Sequence, residues 1–291
     1  MSKTNTVSKI KLTSYDDLFG FPLHTGTDQI QQIPLADLHE FKDHPFKVLD
    51  DEKMQETVES IKEHGILIPG IVRPRKEGGY EIISGHRRKH ACELLGLTTM
   101  PVIVRDYTDD EATIIMVDSN IQRENILPSE KAFAYKMKLE AMKHQGKAGK
   151  ASAAQVGEAA GDNAKAVQRY IRLTYLIPEF LQMVDDNALP MMCGVDLSFL
   201  SLDVQMIVYQ TITQHHIKLT LKLTGQLREK ENLTGIEIEE ILLGIPSTSP
   251  SKRSIKLPQK TLDNYFTPDY TDKQIQDILI SLLERWKAEQ H

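Results

Sequence analysis

Apolar residues recur with two different periods along this chain, and the change of period divides it into regions. Between residues 31 and 125, short runs rich in β-branched residues alternate with segments of helical period. One helix is predicted in DDEKMQETVESIKEHG, where Met54, Val58 and Ile61 share a face and Gly65 ends the helix. Short strands are predicted in GIVRPR, GGYEIIS and MPVIVRDY. This alternation predicts a small mixed α/β domain.

From residue 126 to residue 244 the apolar period is helical almost without interruption. Residues 245–260 are rich in Pro, Ser and Lys, which is typical of a linker. Residues 1–30 are predicted to be a flexible tail. Residues 261–291 contain a last amphipathic helix, which suits either a second copy of the chain or the chain's own surface. The fold class is therefore α+β: a mixed α/β N-terminal domain, an all-helical domain and a short C-terminal helical segment.

Composition places the chain among ordinary globular proteins. Its 291 residues suggest two or three domains, and 40% are hydrophobic. No apolar run approaches the roughly 18 to 20 residues that cross a bilayer, so no membrane association is expected. The two cysteines, Cys92 and Cys193, stand in unrelated contexts. They argue against a disulfide framework or a zinc site and suit a reducing cytoplasm.

Positive charge is concentrated in one segment of an acidic protein. Residues 131–175 hold nine cations and three acids, a balance of +6, whereas the whole chain carries −6 and the remainder therefore −12. The cations are Lys131, Lys136, Lys138, Lys143, Lys147, Lys150, Lys165, Arg169 and Arg172. Such asymmetry indicates one basic surface that binds an anionic partner, or a solvated helical face.

The stretch YEIISGHRRKHACELLG, residues 80–96, predicts a strand, a glycine turn and a helix N-terminus. This geometry presents backbone N–H groups to phosphate. Gly85 permits a close approach of the backbone, and Arg87 and Arg88 can add bidentate contacts to phosphate oxygens. The sequence is neither a P-loop nor a GxGxxG turn. The alternative is a basic helix start that faces only water.

A second polar cluster lies in DSNIQRENILPSEKAFAY, which places Asn120, Gln122 and Arg123 just before a helix that begins near Pro128 and Ser129. A carboxamide beside an arginine can hold a metal-bound phosphate, or it can join two helices. Both interpretations suit the sequence.

Residues 153–172, AAQVGEAAGDNAKAVQRYIR, match a helix-turn-helix. Gly161 allows the turn, Asp162 or Asn163 can cap the second helix, and Val156 and Val167 fall where the helices pack. The second helix then turns outward residues of the types that contact bases and phosphates. The DNA-binding set comprises these residues and two lysines of the preceding loop: Lys147, Lys150, Asn163, Lys165, Gln168, Arg169 and Arg172. The alternative is an αα-hairpin with a basic face.

In order and spacing, GILIPGIVRPR, GGYEIISGHRRKHACELLGLTTMPVIV and SNIQRENILPSEKAFAY resemble successive segments of the ParB family. These proteins bind centromeres in bacterial chromosome and plasmid partition. The resemblance runs from about Ile33 to about Leu243. It implies a CTP-gated DNA clamp, a homodimer on a palindromic double-stranded site, a ParA-like ATPase partner, and a cytoplasmic location on nucleoid or plasmid.

The resemblance also implies a nucleotide-binding set and a weak metal ligand, Asn120, for Mg²⁺. The set is Gly70, Arg73, Ser84, Gly85, His86, Arg87, Arg88, Asn120, Gln122 and Arg123. Two departures stand out, because His86 and Ser119 occupy positions where the family has glutamates. A hard cation prefers oxygen ligands, so at most slow CTP hydrolysis is expected. The departures favour a plasmid or mobile-element type.

Two other functions share these features. A ParB-like transcriptional regulator would use the same helix-turn-helix. The α/β domain also resembles sulfiredoxin, an ATP-dependent redox enzyme that requires a cysteine in the loop corresponding to residues 84–87. That loop has none here, and Cys92 lies about two turns into the helix.

Overall fold

The computed structural model describes residues 29–123, 125–144, 153–245, 259–267 and 269–289. The chain divides into two units, Met1–Leu242 and Leu243–His291. Lys147 and Lys150 of the predicted DNA-binding set lie outside the described residues, as does most of the predicted linker.

A five-stranded mixed sheet forms the centre of the N-terminal domain. Its strands are β1 (Ile30–Pro34), β2 (Leu38–His39), β3 (Gly70–Pro74), β4 (Tyr80–Ser84) and β5 (Thr99–Val104). The order across the sheet is β1-β5-β3-β4-β2. β5 pairs antiparallel with β1 and parallel with β3, whereas β4 pairs antiparallel with β3 and parallel with β2. The parallel pairs require crossovers, and helices supply them.

Helices cover the sheet on both faces, which is why β4 contains adjacent buried residues. Ile82 packs with Cys92 on one face, whereas Ile83 packs with Ala112 and Tyr135 on the other. The four helices nearest the sheet are α1 (Glu52–His64), α2 (His86–Leu94), α3 (Asp109–Asn120) and α4 (Pro128–Met142). The predicted mixed α/β domain is therefore confirmed.

Among the described residues, seven further α-helices follow up to residue 243. They are α5 (Ala153–Gly157), α6 (Ala164–Leu173), α7 (Pro178–Asp185), α8 (Met191–Leu197), α9 (Leu202–His215), α10 (Leu221–Glu229) and α11 (Gly235–Leu243). Their shared core includes Phe180, Leu197 and Leu227. Gln205 is fully buried and satisfied: it accepts from the Ile177 N–H at 2.9 Å and donates to two backbone carbonyls at 3.0 Å. It fixes the chain that leaves α6.

The second unit contains α12 (Gln259–Leu262) and α13 (Asp272–Glu289). Thr271 precedes α13, and its hydroxyl accepts from the Gln274 N–H. Leu282, Leu283 and Trp286 on α13 are more than half exposed. Among the described residues, no helix is long and apolar enough to cross a membrane.

Candidate nucleotide and DNA sites

The turn between β4 and α2 has the strand–glycine–helix geometry that the sequence predicts. Gly85 caps α2 with φ +118° and ψ 14°, a conformation that L side chains rarely adopt. A Cβ atom on Gly85 would lie 3.2 Å from the Gly70 Cα, and one on Gly70 would lie 2.7 Å from the Met100 Cε. The two glycines therefore allow the start of β3 to approach the turn closely.

Arg87 and Arg123, from the two predicted motifs, line one cavity of about 560 Å³. This is within the usual range for a small-molecule site. Phe46, Lys47 and Asp51 line it too. The Arg87 Nη2 atom lies 3.2 Å from the Asp51 Oδ1 atom, which also accepts the Met54 N–H at 2.8 Å as the cap of α1. An anion that enters this cavity meets two guanidiniums.

Arg123 reaches the cavity over an aromatic ring. Its Cζ atom lies 5.9 Å from the centroid of Phe46, within the range of a cation–π contact. Burial, and after it the positive charge of Arg87, lowers the pKa of Arg123. Because the guanidiniums of Arg87 and Arg123 repel each other, binding of an anion beside them is favoured.

Glu130 also lines the cavity and fixes two of its segments. Its Oε1 atom accepts from the Lys47 N–H at 2.8 Å, and its Oε2 atom accepts from the Leu127 N–H at 3.0 Å. Glu130 thus joins the start of α4 to the loop before α1. The sequence predicts only a helix start here.

The side chains of Arg88 and Arg73 do not line this cavity and instead contact other groups of the protein. Arg88 donates to the carbonyls of Ile68 and Pro69, the latter at 2.8 Å, and so supports the chain that enters β3. Arg73 pairs with Glu81 and Asp109, with 2.6 Å between nitrogen and oxygen in each pair. Arg73, Glu81 and Asp109 line a separate cavity.

The predicted nucleotide-binding set has three further members, Ser84, Asn120 and Gln122. Asn120 is 2% exposed, and its Nδ2 atom donates to the Met116 carbonyl at 2.7 Å. Gln122 is exposed, and Ser84 is half buried at the end of β4. Within the described residues, no group of three or more His, Cys, Asp or Glu side chains is arranged to hold a metal ion. The Mg²⁺ role of Asn120 stays a prediction.

His86 packs against a histidine that sequence reasoning did not identify. Its side chain is buried, and its ring centroid lies 4.0 Å from that of His44. Burial, followed by the Coulombic effect that a protonated His44 would exert, lowers the pKa of His86 to about 2, so this imidazole is neutral at pH 7. His44 stands in the polar loop FKDHPFK, where a single histidine gives no signal.

The predicted helix-turn-helix is present, with a very close turn. A Cβ atom on Gly157 would lie 2.2 Å from the Asp162 carbonyl oxygen. Gly161 has φ +71°, and the Asn163 Oδ1 atom caps α6 by accepting the Ala166 N–H at 3.0 Å. Val156 and Val167 are both buried, as predicted.

Four predicted DNA-binding residues of this motif are exposed, whereas the fifth contacts other side chains of the protein. Those exposed are Asn163, Lys165, Gln168 and Arg169. Arg172 is only partly exposed, although the helical period predicts an outward side chain. Its Nε atom donates to the Ser198 Oγ atom at 3.1 Å, and its Cζ atom lies 4.0 Å from the centroid of Phe199. The guanidinium is therefore held between α6 and the residues that follow α8.

Two further cations of the basic segment serve as internal braces. Lys138 is buried, and its Nζ atom lies 2.5 Å from the Asp118 Oδ1 atom on α3. Lys131 lies 3.1 Å from the Asp162 Oδ2 atom, which also accepts the Tyr135 hydroxyl. The basic surface is consequently smaller than the charge count suggests.

Cys92 does not support a sulfiredoxin-like redox function, because it is fully buried in α2. Burial raises the pKa of its thiol, which disfavours the reactive thiolate.

Comparison with known proteins agrees with this architecture. Residues 22–121 match the family model of the ParB N-terminal domain. The chain is 34% identical over 166 residues to the probable chromosome 1-partitioning protein ParB of Deinococcus radiodurans, covering 57% of this chain and 54% of the relative. It is 35% identical over 133 residues to the nucleoid occlusion protein of Halalkalibacterium halodurans, covering 43% and 47%. The chain thus spans about half the length of the curated relatives it matches.

Two solved structures of C-terminally truncated Caulobacter crescentus ParB are also similar. The complex with the centromeric parS site has 22% identity and a TM-score of 0.42, covering 74% of this chain and 99% of that chain. The complex with CTP-gamma-S has 25% identity and a TM-score of 0.31, covering 62% and 98%. The chain thus contains a ParB N-terminal domain, and over about half of its length it is similar to partitioning and nucleoid occlusion proteins.

Proposed function

We propose that this protein binds a specific double-stranded DNA site for chromosome or plasmid partition and that a nucleotide, CTP, gates its hold on DNA. The relatives named as partitioning proteins support the first part. The observation that carries it is the exposed row of Lys165, Gln168 and Arg169 on a tightly fixed helix. Amide and guanidinium groups read adenine and guanine edges in the major groove.

The nucleotide would bind where Arg87 and Arg123 meet, with its phosphates at the Gly85 turn. Two guanidiniums and the N-terminus of α2 favour a polyanion there. When bound, Mg²⁺ would offset phosphate charge, and Asn120 is the proposed protein ligand. The described site lacks the family's glutamates at His86 and Ser119, which supports slow hydrolysis at most.

The clamp requires two copies of the chain. The exposed Leu282, Leu283 and Trp286 of α13 are the proposed contact between copies in the second unit. A homodimer would match a palindromic DNA site, because two-fold protein symmetry imposes two-fold site symmetry. A ParA-like ATPase is the proposed partner, and the bacterial nucleoid or a plasmid the proposed location.

Selection from a random-sequence duplex pool, followed by anisotropy titrations, tests the DNA half. Arg169→Ala and Gln168→Ala should each weaken binding to the selected site by about 1 to 3 kcal/mol and leave random DNA nearly unaffected. Lys222→Ala, an exposed cation on α10, is the matched control and should change neither. Equal losses on selected and random DNA would refute base reading by α6.

A further inference from the structure

Four side chains form a continuous series of contacts that joins the two motifs at the cavity. The Arg123 guanidinium lies 5.9 Å from the Phe46 ring centroid. Phe46 meets His44 edge-on, with 5.8 Å between centroids, and His44 lies 4.0 Å from His86. The loop that carries His44 and Phe46 therefore connects the phosphate turn to the segment after α3.

The two histidines keep three buried ring nitrogens without a hydrogen-bond partner among the described residues: His86 Nδ1, His86 Nε2 and His44 Nε2. Only His44 Nδ1 is bonded, to the Phe46 carbonyl at 2.7 Å. Buried polar atoms are nearly always paired, and unpaired ones call for an explanation. This pair has unused capacity to hold a proton.

Charged groups from several elements surround the pair. Arg88 and Lys89 on α2, and Arg123 after α3, disfavour a positive charge on His86. Glu40 is the nearby acid, with its Oε2 atom 3.8 Å from His86 Nε2. Burial lowers the pKa of His44 to about 4. The pair is therefore neutral at pH 7 while the cavity holds no anion.

We propose that the His44–His86 pair takes up one proton from solvent when an anionic nucleotide binds beside the Gly85 turn. This inference rests on the proposed nucleotide site. A triphosphate brings several negative charges next to α2, and an opposite charge within about 4 to 6 Å favours a charged imidazole. The same phosphates offset the repulsion from Arg88 and Arg123. Binding and protonation then stabilise each other.

Linkage gives the size of the effect. If nucleotide binding returns one histidine pKa from about 4 to its ordinary value near 6.5, affinity at pH 6.0 should be about fourfold higher than at pH 8.0. At pH 6.0 the uptake should be about 0.7 proton per nucleotide. The terminal phosphate of the nucleotide exchanges a proton as well. That contribution is common to all variants and cancels in a comparison between them.

Calorimetric titration of CTP into the full chain with its selected DNA, at pH 6.0 in two buffers of different ionisation enthalpy, tests the proposal. The double variant His44→Phe/His86→Gln removes both imidazoles, so wild type should take up about 0.7 proton more per bound nucleotide than this variant. Equal uptake in both would overturn the inference while the proposed nucleotide site stands. Absence of any binding heat for the wild type would instead refute the nucleotide site, and the inference with it.

A measurement on the wild type remains decisive if the double variant fails to fold. Carbon-13 labelling of the histidines reports each imidazole titration by NMR, and His86→Gln assigns the signal. Saturating CTP should move the titration of His44 or His86 upward by at least one pH unit. Titrations that stay unchanged with CTP bound would overturn the proposal.

Discussion

Replacing Gly157 by alanine tests the turn that presents the recognition helix. The added Cβ would lie 2.2 Å from the Asp162 carbonyl oxygen and 2.7 Å from the Val167 Cγ2 atom. The first contact is with backbone, so the turn must open by about 1 Å. Overpacking of this kind typically lowers the free energy of unfolding by about 1 to 3 kcal/mol. Because the contacted carbonyl is rigid, we expect a loss near the upper end, about 3 kcal/mol.

The expected result is a lower melting temperature together with weaker binding to the selected DNA site. A loss of about 3 kcal/mol corresponds to a decrease of about 6 to 12 °C in a unit of this size. Below that temperature, displacement of α6 should reduce affinity for the selected site by about fivefold or more, the loss of one base contact. Calorimetric melting and anisotropy titration measure the two effects.

Gly225→Ala is the matched control, because a Cβ at Gly225 in the middle of α10 meets no atom within 4 Å. Alanine in that helix should stabilise the protein by about 0.5 to 1 kcal/mol and leave DNA binding unchanged. If Gly157→Ala melts at or above the wild-type temperature, the close turn described here is wrong.

Three further outcomes are expected. Lys147→Ala should weaken selected and random DNA about equally in anisotropy titrations, because phosphate contacts carry no sequence information. Asp118→Asn should lower the free energy of unfolding in urea by about 3 to 5 kcal/mol, because it leaves the Lys138 charge buried without its anion, whereas the double variant Asp118→Asn/Lys138→Met should be nearly neutral; a double variant less stable than Asp118→Asn would contradict the buried pair. His44 and His86 have pKa values in the folded protein below the unfolded value of 6.5, so the free energy of unfolding in urea should reach its full value above pH 6.5. At pH 5 it should be lower by about 2 kcal/mol per histidine, and a free energy that does not change with pH would contradict their burial.

Local patterns were sufficient to predict the helix-turn-helix. Gly157, Gly161 and the apolar positions of Val156 and Val167 all act within twenty residues, so their consequences can be read from the sequence. The same periodicity does not reveal the contacts that partly bury Arg172. Its partner, Ser198, comes from 26 residues further along the chain, and no local pattern announces that contact.

The nucleotide site shows the same division. Gly85 and Arg87 are predictable because a strand, a turn and a helix start occupy consecutive residues. His44, Phe46 and Glu130 enter the site only through folding, since Glu130 meets the Lys47 N–H across 83 residues. Residues that join distant segments need the structure to be found.

The central claim is that Arg87 and Arg123 form a nucleotide site, and calorimetric titration of CTP, ATP, GTP and UTP, with and without the selected DNA, tests it most directly. We predict that CTP binds with DNA present and that Arg87→Ala and Arg123→Ala each weaken this binding at least about tenfold, as expected for a lost charged hydrogen bond. Both variants should keep wild-type affinity for DNA. Absence of nucleotide binding by the wild type under every condition, or unchanged CTP binding in both variants, would contradict the account.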